Sequence, residues 1–233
     1  TIAAAGTLRA EAEACFMVMR SSGADAAPGR VYAGRSADER RAERRERLLE
    51  AGLELFGTAG FHKTTIPMLC SASGVTARHF YEEFDSREAL LRTVYDRIAT
   101  GVFDHVIGAL RARDKDVRER IHDSNDAYFR YLTSDPRLAR IYTIEAVGMH
   151  SDLEQHRRTK REAFVKKLTK ATQRLDDRGI DSRLLSAALA GAAHDLLLEW
   201  VLATRRPSIE RMVETVTTLW IRTLQLDRDP GPP

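Results

Sequence analysis

Residues 64–90, TTIPMLCSASGVTARHFYEEFDSREAL, constrain the fold more tightly than any other stretch of this chain. Ile66, Leu69, Cys70 and Ser73 fall at i, i+3, i+4 and i+7, one narrow face of a helix. Thr65 stands at its N-cap and Pro67 in its first turn, where a missing N–H costs nothing. Gly74 supplies the left-handed residue that ends the helix. Val75 is a buried staple for the next helix, and Thr76 is its N-cap. In that helix Phe80 and Phe84 face inward at i and i+4, while Ala77, Arg78, His79 and Tyr81 make a small, hydrogen-bonding and cationic front. An apolar back with such a front suits a short helix for a DNA major groove. The pattern predicts helix, tight turn, helix, and the capped start of a third.

Helix formers dominate the 233 residues, Pro is sparse after residue 28, and no alternating β-branched runs occur, so the fold class is all-α. A net charge of +3 is compatible with nucleic-acid binding without demanding it. Cys15 and Cys70 do not make a disulfide framework; Cys70 reads as a small core residue, and the chain as cytoplasmic. No stretch approaches the roughly twenty apolar residues that span a bilayer, so no membrane partner is expected. Residues 14–19 are too short and too closely preceded by Glu11 and Glu13 for a secretory signal.

Residues 1–36 read as a disordered leader, in which Arg30 and Arg35 leave open a basic arm along DNA. A first helix is expected from Ala37 to Ala59, its charged first half a solvated face and its second half carrying Leu48, Gly52, Leu55 and Phe56 on one stripe. The fourth helix starts at Ser86 and runs to Leu110; residues 111–116 form a loop. Helices are then expected over 117–134, from Asp135-Pro136 to Gly148, and from Ser151 to Leu175 around Phe164, Leu168 and Leu175. QHRRTKREAFVKKLTK, the most basic run, reads as a solvated face. Residues 182–204 are apolar nearly all round, and 208–226 carry one broad apolar stripe. Such a pair needs a partner, which assigns Leu184, Ala188, Gly191, Ala192, Met212, Val216, Leu219 and Trp220 to a homodimeric four-helix bundle. The expected divisions are 37–85 for a helix-turn-helix DNA-binding domain, 86–226 for a regulatory and dimerisation domain, and 227–233 for a disordered tail.

From Arg44 to Leu90 the chain resembles, without a gap, the DNA-binding domain of the TetR/AcrR family of bacterial transcriptional repressors. Leu55-Phe56, Gly60-Phe61, Thr64-Thr65, Gly74-Val75-Thr76, Phe80-Tyr81, Phe84 and Ser86-Arg87-Glu88 carry the likeness. It departs at Arg78, where the family often has Gly or Pro, at Cys70, where it usually has Ala, and at the acidic Glu82-Glu83. The resemblance implies an N-terminal three-helix DNA-binding domain followed by a helical ligand-binding and dimerisation domain. It places Thr64 or Thr65, Tyr81 and Arg87 on phosphates, Ala77, Arg78 and His79 at base edges or thymine methyl groups with Arg78 the candidate for guanine, and Thr76 among the DNA-binding residues. It further implies a small-molecule effector held between helices four to eight. Val94, Ile98, Val102, Phe103, Tyr128, Phe129, Tyr142 and Trp200 would line that pocket, and Asn125, Glu145, His194 and Glu199 would orient the ligand.

His150, Asp152, Glu154 and His156 have loose metal-ligand spacing, but acidic residues at a helix start are explained by the helix dipole. No phosphate loop, nucleophile elbow or H-E-x-x-H spacing is present, so neither catalysis nor a cofactor is expected. Expected partners are an operator duplex, a small effector and a second copy of the chain. A dimer that binds DNA without an effector is the open alternative.

Overall fold

The structure, a computed structural model, describes residues 36–112, 114–147, 151–172 and 181–224. Residues 1–35 of the expected leader 1–36, the tail, Cys15, Leu175 and His150 lie outside these, as does the side chain of Asp152; Ser36 is described and caps α1. Among the described residues the ordered structure is helical, as the residue pattern requires: α1 (Ala37–Thr58), α2 (Ile66–Ser73), α3 (Ala77–Glu83), α4 (Arg87–Leu110), α5 (Val117–Thr133), α6 (Pro136–Arg140), α7 (Ser151–Thr172), α8 (Ser182–Leu202) and α9 (Ile209–Thr223). The chain divides into two compact units between Arg97 and Ile98, inside α4. Sequence alone placed the division at residue 86, where the helix begins. The first turns of α4 instead belong to the head, because Leu90 and Leu91 are fully buried there and Arg97 makes a bidentate pair with Glu46 at 2.6 Å per bond.

In the first unit, caps at every start fix where helices begin. Ser36 and Glu39 form a reciprocal capping box on α1, and the Ser86 hydroxyl accepts from the Ala89 N–H at 3.1 Å. Gly60 follows α1 at φ +88° and turns the chain toward α2. Gly52 lets α1 meet α4, since a Cβ there would lie 3.2 Å from Val94 and 3.3 Å from Leu90. Leu48, Phe56, Leu69 and Phe80 complete a core with no exposed surface.

In the second unit α5 and α9 pack face to face, and Asn125 donates to Thr217 across that contact at 3.1 Å. Met212, Val216 and Trp220 are buried in this single chain, at 2%, 0% and 6% exposure. This corrects their assignment to the dimer interface, because α5 already covers the α9 stripe. The expected helix from Asp135 to Gly148 is broken: α6 passes into a π-turn at Ile141–Glu145, closed by the Ala146 N–H on the Ile141 carbonyl at 3.2 Å. Helix α7 ends its described run at Thr172, and Val165 is buried in it where Phe164 was expected, Phe164 being only half-buried.

By length and composition α8 is apolar enough to cross a membrane, which corrects the expectation that no stretch is. It also carries His194, Asp195 and Glu199, and it buries Ser186, Leu189, Ala193, Leu197 and Trp200 against neighbouring helices. Its other flank is uncovered: Leu184 is 56% exposed and Leu202 64%.

Candidate DNA-reading face and regulatory site

The helix-turn-helix forms as its residues dictate. Thr65 caps α2 by accepting from the Met68 N–H at 3.4 Å. Gly74 sits at φ +62°, a left-handed position, and the Val75 N–H closes the turn on the Cys70 carbonyl at 3.1 Å. Thr76 caps α3 through the His79 N–H at 3.4 Å. Phe80 has no exposed surface and meets Phe84 at 6.1 Å and Tyr81 at 5.5 Å between ring centroids. With the back of α3 buried, its front must face solvent. Ala77 and Tyr81 are exposed, His79 is half-buried, and the Arg78 side chain is 87% exposed. Cys70 is a free, half-buried thiol, and burial pushes its pKa up.

Two residues expected at phosphates make bonds inside the head. Thr64 is fully buried, and its hydroxyl donates to the Gly60 carbonyl at 2.8 Å. Arg87 donates to the Phe61 and Thr64 carbonyls and stacks over the Phe61 ring at 4.6 Å. Both therefore fix the α1–α2 turn that positions the reading helix, and Thr65 is the exposed member of its pair. The acidic pair after Tyr81 also separates. The Glu83 side chain is 2% exposed and takes Arg41 at 3.1 Å, while Arg45 donates to its carbonyl at 3.0 Å and covers Phe84. Glu82 stays outside and accepts from Arg78 at 3.2 Å. Spacing along one helix could not tell the two glutamates apart; the partners that hold Glu83 come from α1.

In the regulatory unit Ile98, Val102 and Phe129 are buried, and Lys167 covers the half-buried Phe103 ring at 4.1 Å. Tyr128, Tyr142 and His194 come together: Tyr142 lies 6.4 Å from Tyr128 and 5.7 Å from the His194 ring. Other expected pocket residues are engaged elsewhere. Val94 packs in the head, Asn125 bonds to Thr217, Arg140 donates to Glu145 at 2.9 Å, and Arg206 covers Trp200 at 4.1 Å. Sequence reasoning missed Arg157 and Arg161. They belong to the basic run read as a solvated face, yet their charges act on both Tyr142 and His194. Arg157 pairs with Glu154 at 3.2 Å, and Arg161 donates to the Ala187 carbonyl at 3.3 Å.

Burial pushes the Tyr142 hydroxyl up to about 12, against the pull of the two arginines. Burial, reinforced by Arg157 and Arg161 and opposed by Asp195, holds the His194 imidazole below its ordinary 6.5. A pH dependence follows. Below pH 6.5 the unfolded imidazole takes up a proton that the folded one refuses, so the unfolded state binds more protons and stability falls. Chemical denaturation at stepped pH should show stability declining as pH drops below 6.5. His194→Gln should flatten that part of the profile, and an unchanged slope would assign the decline to other groups.

An all-helical chain with a capped helix-turn-helix and a solvent-facing second helix has the architecture of a DNA-binding transcription regulator. Residues 48–94 match the family model of bacterial regulatory proteins of the tetR family, which covers the helix-turn-helix and the start of α4. No curated protein matches it in sequence. Among solved structures it is similar to the fatty acid degradation regulator FadR from Bacillus halodurans, with a TM-score of 0.68 and 18% identity over 76% of this chain and 93% of that one. FadR from Bacillus subtilis, solved in complex with stearoyl-CoA, gives a TM-score of 0.68 at 16% identity, covering 74% and 95%. PfmR, a TetR family regulator from Thermus thermophilus, gives 0.62 at 19%, covering 76% and 97%. At these identities the likeness is one of fold.

Proposed function

We propose that the chain is a ligand-responsive transcriptional repressor that binds a palindromic operator as a homodimer in the cytoplasm and is released by a small apolar effector. The observation that carries the DNA-binding part is the front of α3, where Arg78, His79 and Tyr81 face solvent over a back locked by the buried Phe80. Arg78 reads guanine, whose O6 and N7 suit a guanidinium fork; Tyr81 and Thr65 meet phosphates. The uncovered leucines of α8 support the dimer. In the effector part, the contiguous Tyr128, Tyr142 and His194 supply aromatic surface with polar tips. A neighbour of the same fold was solved with stearoyl-CoA, which makes acyl-CoA thioesters the first class to test.

Helix α4 belongs to both units, so an effector that prefers one setting of this helix changes operator affinity, and linkage makes the effect reciprocal. The test is selection of sites from a randomised duplex library, then titration of the selected operator with and without acyl-CoAs. A salt-sensitive, palindromic preference that weakens with effector is expected. Indifference to sequence removes the DNA reading; equal operator affinity with and without bound effector leaves a constitutive repressor. Arg78→Ala should cost about 1–3 kcal/mol at one position per half-site. Tyr81→Phe should weaken all sequences alike.

A further inference from the structure

The reading face of α3 carries an anion directed toward solvent, where phosphates would approach. Glu82 is that anion, its side chain 44% exposed. One oxygen, Oε1, accepts from Arg78 Nε at 3.2 Å. The other, Oε2, lies 3.9 Å from His79 Nε2. Across the imidazole, Thr76 Oγ1 is 3.1 Å from Nδ1. That hydroxyl also accepts from the His79 backbone N–H. One carboxylate thus stands between the two side chains best placed to read bases.

Helix stability does not account for this arrangement. Acid following base at i+4 is the weaker order for such pairs, and an anion in the last turn opposes the helix dipole. Its consequence for recognition is specific. Holding Nε leaves Nη1 and Nη2 as the parallel donors of Arg78, the number that guanine O6 and N7 accept. We infer that Glu82 is a specificity-determining positioning residue, which holds Arg78 so that its terminal donor pair meets a guanine edge instead of ranging over neighbouring phosphates. The inference rests on the reading that α3 enters the major groove. It acts through two effects. The arginine gives up rotamer freedom before DNA arrives, so less is lost on binding. The carboxylate also repels the backbone, which lowers affinity for every sequence.

The experiment selects binding sites and titrates operator and random duplex with the full chain and with Arg78→Ala, Glu82→Ala and Glu82→Gln. Arg78→Ala should lose roughly 5- to 150-fold of base discrimination at one position per half-site. Glu82→Ala should lose about 3- to 10-fold at that same position, while binding random duplex more tightly. Glu82→Gln removes the same charge and should tighten random binding equally. It should keep most of the discrimination, because its amide oxygen still accepts from Nε. Equal thermal melting of all four proteins would exclude a folding effect. Identical preferences for Glu82→Ala and Glu82→Gln would overturn the positioning role. So would a preference lost only in Arg78→Ala, or one shifted at another position, where Glu82 would itself be reading a cytosine amine. No loss of discrimination in Arg78→Ala would overturn the groove reading and the inference together.

Discussion

A Leu184→Glu, Leu219→Glu double variant should remain folded, run as a monomer and lose about a hundredfold or more of operator affinity. Leu184 is 56% exposed on α8 and Leu219 44% exposed on α9. Neither contributes to the core of the single chain, so the helical fold should survive both changes. Each leucine is worth about 1.5–3 kcal/mol when buried, and two-fold symmetry counts each substitution twice. Replacing them with carboxylates also sets like charges against each other across the interface. With only one head per particle, the second half-site contact ceases to be intramolecular, and the avidity of the pair is lost. Multi-angle light scattering and an operator titration would check both halves of the prediction. A double variant that still scatters as a dimer at the same concentration would place the interface elsewhere.

Phe80→Ala should abolish operator binding by dissolving the head. Phe80 has no exposed surface and packs against the rings of Phe84 and Tyr81. Removing a fully buried phenylalanine costs about 3–5 kcal/mol, against a domain stability of about 5–15 kcal/mol. A seven-residue helix such as α3 cannot persist by itself once its anchor is gone. Calorimetry should show the transition of the first unit moved down by many degrees. Arg78→Ala, on the exposed front of the same helix, should leave that transition in place. A Phe80→Ala head with wild-type melting would mean that the back of α3 is not what holds it.

The caps, turns and helix starts of the head were legible in the residues because they depend on local chemistry. Thr65 and Thr76 cap whatever helix follows them, and Gly74 takes a left-handed turn that few other residues tolerate. The inward Phe80 and Phe84 followed from helical spacing alone. Tertiary structure decided everything that depended on a distant partner. Sequence offered Thr64 or Thr65 and Arg87 as phosphate ligands; in the fold the Thr64 hydroxyl and Arg87 Nη1 are held by carbonyls of the α1–α2 turn. Glu82 and Glu83 are neighbours in sequence, but Arg41 and Arg45 of α1 claim one and leave the other on the reading face. The apolar stripe of α9 did not say what covers it; α5 does, across a separation of 92 residues at the Asn125–Thr217 bond. Periodicity states that a face must be buried, and only the packed chain states against what.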